Sequence, residues 1–308
     1  MLHPENTRDM KGSPWTNSPS QIENGIMITS NGYVLDERPE RLGRLEAVPV
    51  MMRDNKDALW ERLRRDGYLY LSNHLAADLV RDFRSYYFGT LEPTGLVKSN
   101  GAAEGIDGHG AVDLAMTRRI LFDTVVPGEQ YAALTSHPSI RGWFEWFLGD
   151  DVHLHKRRII RHTRPGETGI GTATQAHYDL VYLREGTDRV LSMWIPLGDC
   201  TVENGGLAYL EGSHHRVMAQ ERAGTLKMPA ASITADLPKL ADEYDSRWLI
   251  NDYSAGDVMV HSAHIVHAST DNVDPQNRIR LSTDIRYQRA SDPIDWRWQE
   301  HWHEDDGL

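Results

Sequence analysis

One cysteine, Cys200, is present among 308 residues, so no internal disulfide can form. No stretch approaches the roughly 20 apolar residues needed to span a bilayer. The opening MLHPENTRDMKG lacks the apolar centre of a signal peptide. Positive charge is also short: 33 Lys and Arg face 45 Asp and Glu, a formal net charge of −12. An acidic surface repels nucleic acid and anionic membranes, which disfavours both as general partners. Internal repeats and low-complexity blocks are missing too. These absences lead us to expect a reducing, cytoplasmic setting and a small-molecule partner. What is present fits an ordinary globular protein, with 40% apolar residues, 25 glycines and enough chain to bury a core.

The texture changes along the chain. Residues 1–45 are polar and rich in Asn, Ser, Pro and Arg, and read as an extended arm or a lid. The remainder, 46–308, reads as one domain: a helical part over 46–150, a β core over about 150–290 and a tail over 291–308. KDALWERLRRD (56–66) places Leu59, Trp60 and Leu63 on one helical face, with Gly67 as a stop. GYLYLS then reads as a short strand. A second helix is expected over about 76–89, with Leu79, Phe83, Tyr86 and Tyr87 facing inward. Residues 93–118 are glycine-rich and irregular, and loops of that length in a compact domain are usually functional or disordered. Beyond 150, VHLHKRRIIRHT, RVLSMWIPL, GLAYLEGS, DVMVHSAHIVHA and RIRLSTDIRYQ follow one another between turn residues. That spacing favours an antiparallel sandwich or barrel over βαβ units.

The stretch QAHYDL contains a candidate metal grip, His177 and Asp179. On extended backbone, residues i and i+2 share a face, so both side chains can address one ion while Tyr178 points away. A lone His-x-carboxylate says little in a chain with 15 histidines and 45 acidic residues. Two similar pairs exist, at His3-Pro4-Glu5 and at His303-Glu304-Asp305. The second has no sequence after it to supply a further ligand, and His3 lies in the polar arm. Two histidines and a carboxylate on one face of an octahedron characterise non-haem Fe(II) oxygenases. Downstream of 177, the candidates for the second histidine are His261, His264 and His267.

From about 150 to 287 the chain resembles the phytanoyl-CoA dioxygenase family of Fe(II)- and 2-oxoglutarate-dependent oxygenases. QAHYD matches the family's His-x-Asp; SMWIPL followed by ENGGLAYLEGSHH matches its central strands and turn. GDVMVHSAHIVHAS, then an Asn and an Arg, matches its distal strand. GYLYLSNHL is similar to the family's N-terminal opening. The likeness covers about three quarters of the chain. Leu-Glu-Gly-Ser replaces the family's usual Pro-Gly-Ser, and 93–118 matches nothing in it. The resemblance implies a mostly β fold, a double-stranded β-helix (jelly-roll, cupin-like) core with N-terminal helices packed around it.

It also implies site roles. The family's distal histidine is followed eleven residues later by the arginine that holds the far carboxylate of 2-oxoglutarate. Counting from His267 reaches Arg278, with Ser269 and Asn272 at family-like positions, whereas His264 and His261 lead to Pro275 and Asn272. The expected metal set is therefore His177, Asp179 and His267. Arg278 and Ser269 are expected on 2-oxoglutarate, with Trp194 lying against it. Arg280 is the rival clamp, since Arg280-Leu281-Ser282 resembles an Arg-x-Ser pair used by other 2-oxoglutarate enzymes. Either guanidinium would pair with a carboxylate and stay charged at working pH.

The activity so implied consumes O2 and 2-oxoglutarate at Fe(II), releases succinate and CO2, and oxidises a small organic molecule. Related halogenases lack the carboxylate, so Asp179 favours hydroxylation, or desaturation, epoxidation or cyclisation, over halogenation. His261 and His264 are expected to pack or to orient ligands. The cations His155-Lys156-Arg157-Arg158, Arg161 and Arg164 are either a solvated strand face or, for one or two of them, contacts to an anionic substrate. The tail DWRWQEHWHED is expected to pack on the barrel or, less simply, to join a dimer. The 93–118 loop and the arm are the candidate lids. The assembly is expected to be a monomer or homodimer. Two other readings stay open: a cupin-like metal enzyme without 2-oxoglutarate, and a non-catalytic relic barrel.

Overall fold

The structure, a computed structural model, describes residues 27–183, 185–228 and 232–303. His3, most of the expected arm and the Glu304-Asp305 end of the tail lie outside the described residues. Helix α1 (Lys56–Asp66) starts where the Asn55 side chain accepts the Ala58 N–H and stops at Gly67. Gly67 has φ +79°, and its N–H closes on the Leu63 carbonyl. A Cβ there would stand 2.7 Å from His214 Nδ1, so only glycine fits this closing turn. Leu59 and Leu63 are buried, and Trp60 stacks on Phe147 at 4.4 Å.

Helix α2 (Ala77–Leu91) ends two residues later than its sequence suggests. Val80, Phe83, Tyr87 and Leu91, at helical spacing, form its buried stripe, while Leu79 and Tyr86 sit only partly buried. Helices α3 (Leu114–Ile120), α4 (Glu129–Thr135) and α5 (Pro138–Leu148) complete the N-terminal layer, and α6 (Ser213–Arg222) and α7 (Leu237–Tyr244) follow later. A π-turn, 121–125, extends α3. Residues 93–118 are thus irregular only as far as 113. Their middle is pinned by backbone bonds from Asp107 N–H to Asn277 and from Ile279 N–H to Gly105. Among the described residues, no helix is long and apolar enough to cross a membrane.

The strands are β1 (Thr29–Ser30), β2 (Tyr33–Val34), β3 (Leu42–Arg44), β4 (Tyr68–Leu71), β5 (Val152–Leu154), β6 (Ile159–Thr163), β7 (Leu191–Pro196), β8 (Leu207–Leu210), β9 (Trp248–Ile250), β10 (Val258–Ser262), β11 (His267–Ser269) and β12 (Arg280–Arg289). A six-stranded sheet has the order β4-β10-β7-β12-β5, with β6 also on β12; a four-stranded sheet runs β11-β8-β9-β3. All pairings are antiparallel except β3 with β9. The β core therefore takes two strands, β3 and β4, from before residue 150.

Period-two alternation sets the layers. On β12 and β7, Leu281, Ile285, Tyr287, Met193 and Ile195 join the apolar cluster under the helices. Tyr287 stacks on Phe144 at 4.4 Å. The intervening residues face the other way, toward the second sheet: Arg280, Ser282, Asp284 and Arg286 on β12, and Trp194 on β7. A strand that places four polar side chains inside a protein has a site to serve.

Buried histidines make this packing acid-sensitive. Burial lowers His155 and His214 to about 4 from an ordinary 6.5. Both are buried, and the Nδ1 atom of each is without a hydrogen-bond partner. Between pH 6.5 and 4 the unfolded chain binds protons that the folded one excludes, so stability falls as pH drops through that window. At pH 5 the loss is about 2 kcal/mol per histidine. Thermal melts from pH 7 to 4.5 should show it, and a His155→Gln, His214→Gln double variant should flatten the decline; an unchanged slope would assign acid lability elsewhere.

Candidate active site

Two backbone hydrogen bonds put the two histidines side by side: His177 N–H to the His267 carbonyl at 3.0 Å, and His267 N–H to that of His177 at 2.8 Å. Their rings lie 4.2 Å apart, centroid to centroid. Tyr178 is extended, which returns Asp179 to the same side, and its hydroxyl donates to the Lys227 carbonyl, away from the histidines. Asp179 itself starts a 3-10 turn, 179–181, rather than continuing a strand. Asp179 Oδ1 lies 3.9 Å from both His177 Nε2 and His267 Nε2. Metal–ligand distances of about 2 Å place neighbouring donors about 3 Å and opposite donors about 4 Å apart, so the three atoms are close to bracketing an ion.

The chemistry of the donor set agrees. His177 Nδ1 meets the Gln175 carbonyl at 2.8 Å and His267 Nδ1 meets that of Ile265 at 3.0 Å. Each contact fixes the proton on Nδ1 and leaves the Nε2 lone pair for a metal. Burial pushes both imidazoles below their ordinary range, His267 well below, so both are neutral at working pH. For Asp179, burial alone would raise the carboxyl. The charge of Arg286, with His261 and His267, outweighs this and holds it well below the usual carboxylate range. A second histidine–carboxylate group, Asp188, Glu221 and His264, has two exposed members and lies away from this centre.

His177 and His267 face a cavity of about 490 Å³ between the sheets. Arg280 and Ser282 line it, as do Ser269 and Trp194. Arg280 is 5% exposed; it donates to Ser282 Oγ at 2.8 Å and Thr163 Oγ1 at 2.7 Å, while its Nε is buried without a partner. Ser269 Oγ accepts the Thr174 N–H at 2.8 Å, and Trp194 sits edge-on to Tyr253.

Arg278 does not line the cavity. The loop geometry accounts for this. The Asp274 carboxylate takes the Arg278 N–H at 2.8 Å and both ends of its guanidinium, at 3.0 and 2.9 Å. With Asn277 left-handed, this turn holds Arg278 before the strand, and β12 begins at Arg280. Asn272, by contrast, braces the same turn, donating to the Arg278 and Thr163 carbonyls.

The other candidates disperse. His264 pairs with Glu221 at 2.8 Å, outside the cavity. His261 sits behind Asp179, its Nδ1 2.8 Å from the Tyr209 hydroxyl. Of the basic cluster, Arg158 packs over Tyr131, Arg164 pairs with Asp107 at 2.7 Å, and Arg161 enters the cavity. The 93–118 segment contributes no wall. Segment 167–175 does, together with Trp298 and Trp302 of the tail. Ser192, Asp284 and Arg286 were missed by sequence reasoning. The signal was present in RLSTDIR, whose polar residues recur at every second position of a strand otherwise built to be buried.

Comparison with known proteins identifies the family. The family model for phytanoyl-CoA dioxygenase matches residues 63–280, well over half of the chain. The chain is 28% identical over 258 residues to the 1-deoxypentalenic acid 11-beta-hydroxylase of Streptomyces arenae, covering 80% of this chain and 85% of that protein. It is 25% identical over 260 residues to the ectoine dioxygenase of Stutzerimonas stutzeri (strain A1501), covering 80% and 83%. Among solved structures, EctD from S. alaskensis with 2-oxoglutarate and 5-hydroxyectoine shares the fold at TM-score 0.53 and 22% identity, covering 85% of this chain and 88% of that one. The epimerase SnoN in complex with Fe3+, alpha ketoglutarate and nogalamycin RO does so at TM-score 0.54 and 22% identity, covering 78% and 85%. The chain belongs to the phytanoyl-CoA dioxygenase family of iron(II)- and 2-oxoglutarate-dependent oxygenases.

Proposed function

We propose that this enzyme hydroxylates an apolar organic molecule carrying an anionic group, on a scaffold whose two facing sheets form a double-stranded β-helix. One observation carries the cosubstrate assignment. Arg280 is buried against the cavity, and among the described residues no carboxylate lies within ion-pair distance of it. A buried cation without a counter-charge is costly, and a ligand carboxylate with two oxygens matches its fork. Arg280, braced by Ser282 and Thr163, is therefore the clamp for the far carboxylate of 2-oxoglutarate, with Ser269 and Trp194 as further walls. His177, Asp179 and His267 would hold the iron, the donor set suiting it as described above. Iron, 2-oxoglutarate and O2 together supply an oxidant able to take a hydrogen atom from a C–H bond. The chain's own share is to orient substrate and keep water out.

The substrate reading rests on the remaining lining. Trp298, Trp302, Tyr182, Leu121 and Ile159 are apolar or amphipathic walls. Arg286 is committed to Asp179 and Arg280 to the cosubstrate. Arg161 is left, a third exposed and held on one side by Asp284 at 3.2 Å. It suits a substrate carboxylate or similar anion. The 28% identical relative is, by its name, a hydroxylase of an acid, 1-deoxypentalenic acid, which supports the same class.

The test is oxygen-dependent succinate release against a panel of medium-sized apolar monocarboxylic acids and their primary amides. Acids should stimulate release tenfold or more over their amides, and Arg161→Gln should erase the preference. Equal stimulation by acids and amides would remove Arg161 from substrate recognition, and oxygen-dependent turnover without succinate would remove 2-oxoglutarate from the reaction.

A further inference from the structure

Three adjacent strands of the large sheet present one row of polar side chains to the back of Asp179. His261 on β10 stands opposite Ser192 on β7, and Ser192 stands opposite Arg286 on β12. Ser192 donates its hydroxyl to Asp179 Oδ2. Arg286 donates Nε to Oδ2 at 3.2 Å and a terminal nitrogen to Oδ1 at 2.9 Å. His261 Nε2 lies 3.7 Å from Oδ2. Trp298 closes the far side, its ring 4.6 Å from the Arg286 guanidinium carbon.

We propose that Arg286 and Ser192 are positioning residues that make Asp179 a one-oxygen metal ligand. The two oxygens are treated unequally. Arg286 holds both, but Oδ1 is equidistant from the two histidine Nε2 atoms, whereas Oδ2 also takes the Ser192 hydroxyl and faces His261. A two-point guanidinium grip defines the carboxylate plane, which a single ammonium cannot do. Holding Oδ2 back keeps the carboxylate from chelating the ion with both oxygens. The positions so spared are those that a two-point cosubstrate and oxygen require. Arg286 acts through Asp179 and is not itself placed on a reacting atom.

Co(II) alone, added to the full-length protein, tests this without 2-oxoglutarate or oxygen, so it stands or falls separately from the proposed reaction. Removing a hydrogen-bond partner of a metal ligand typically lowers affinity about 10- to 100-fold. Arg286→Met should bind Co(II) about that much more weakly than wild type and change the intensity of its visible ligand-field bands. Arg286→Lys, which keeps the charge but not the fork, should restore affinity in part and leave the altered spectrum. Ser192→Ala should weaken binding several-fold. A folded Arg286→Met that keeps wild-type affinity and spectrum would overturn the proposal. So would tighter binding, which would make Arg286 a mere repeller of the cation. If Arg286→Met does not fold, wild-type isotherms and spectra from both Arg286→Lys and Ser192→Ala would overturn it equally.

Discussion

Asp179→Ala is expected to lose the metal centre and much of the fold's stability in one step. The substitution removes the charge that neutralises Arg286, whose side chain is 5% exposed. Breaking one partner of a buried pair typically costs about 3–5 kcal/mol, because the other charge stays inside unpaired. His177→Ala should also abolish metal-dependent succinate release, yet it leaves no orphaned charge and should cost less stability. The comparison separates ligation from electrostatics. Combining Asp179→Ala with Arg286→Met should recover part of the lost stability without recovering metal binding. Denaturant titration of wild type, Asp179→Ala, Arg286→Met and the double variant measures this coupling directly. If Asp179→Ala is as stable as wild type, the ion pair described here does not carry the weight assigned to it.

The second large effect concerns the two neighbouring arginines. Arg280→Ala should raise the 2-oxoglutarate concentration needed for half-maximal turnover about a hundredfold or more. Loss of a buried charge-assisted contact to a carboxylate is worth about 2–5 kcal/mol. Arg278→Ala should change that requirement less than threefold, because its guanidinium is engaged by Asp274 outside the cavity. Steady-state kinetics over a wide 2-oxoglutarate range decides between them. The reverse ranking would mean that the Asp274–Arg278 turn opens when cosubstrate binds.

That pair also shows where sequence reasoning reached its limit. His177 and Asp179 are two residues apart, so their common direction depends only on extended backbone at Tyr178. His267 was set apart from His261 and His264 only by what the family resemblance implies, the count of eleven to Arg278, and the structure places it beside His177 on β11. The choice of arginine depended instead on the length of the turn between β11 and β12. Asp274, Asn277 and Arg278 close that turn on themselves, and a count of eleven falls short of the strand by two residues. No pattern in the sequence announces this, because Asp-Pro-Gln-Asn tolerates several turn shapes.

Arg286 was hidden for a different reason. Its partner is more than a hundred residues away, and only the register of β7 against β12 puts Ser192 and Arg286 in one row. Trp298 and Trp302 were legible as apolar tail residues but not as cavity walls. The helices fared differently: Asn55 and Gly67 mark the ends of α1 by local chemistry, which needs no tertiary context. The glycine-rich 93–118 stretch was legible as a loop. What it packs against was not, since its tether is backbone pairing with 277–279.

The proposed chemistry requires iron and 2-oxoglutarate to meet at His177, Asp179 and His267 in front of Arg280. Anaerobic addition of Fe(II) and 2-oxoglutarate to the purified protein measures this most directly, by visible absorbance. A weak charge-transfer band should appear in wild type and in Arg278→Ala at the same 2-oxoglutarate concentration, require far more cosubstrate in Arg280→Ala, and be absent in His177→Ala and Asp179→Ala. A wild-type protein that binds Fe(II) but gives no band with 2-oxoglutarate, or a band that survives loss of Asp179, would contradict it.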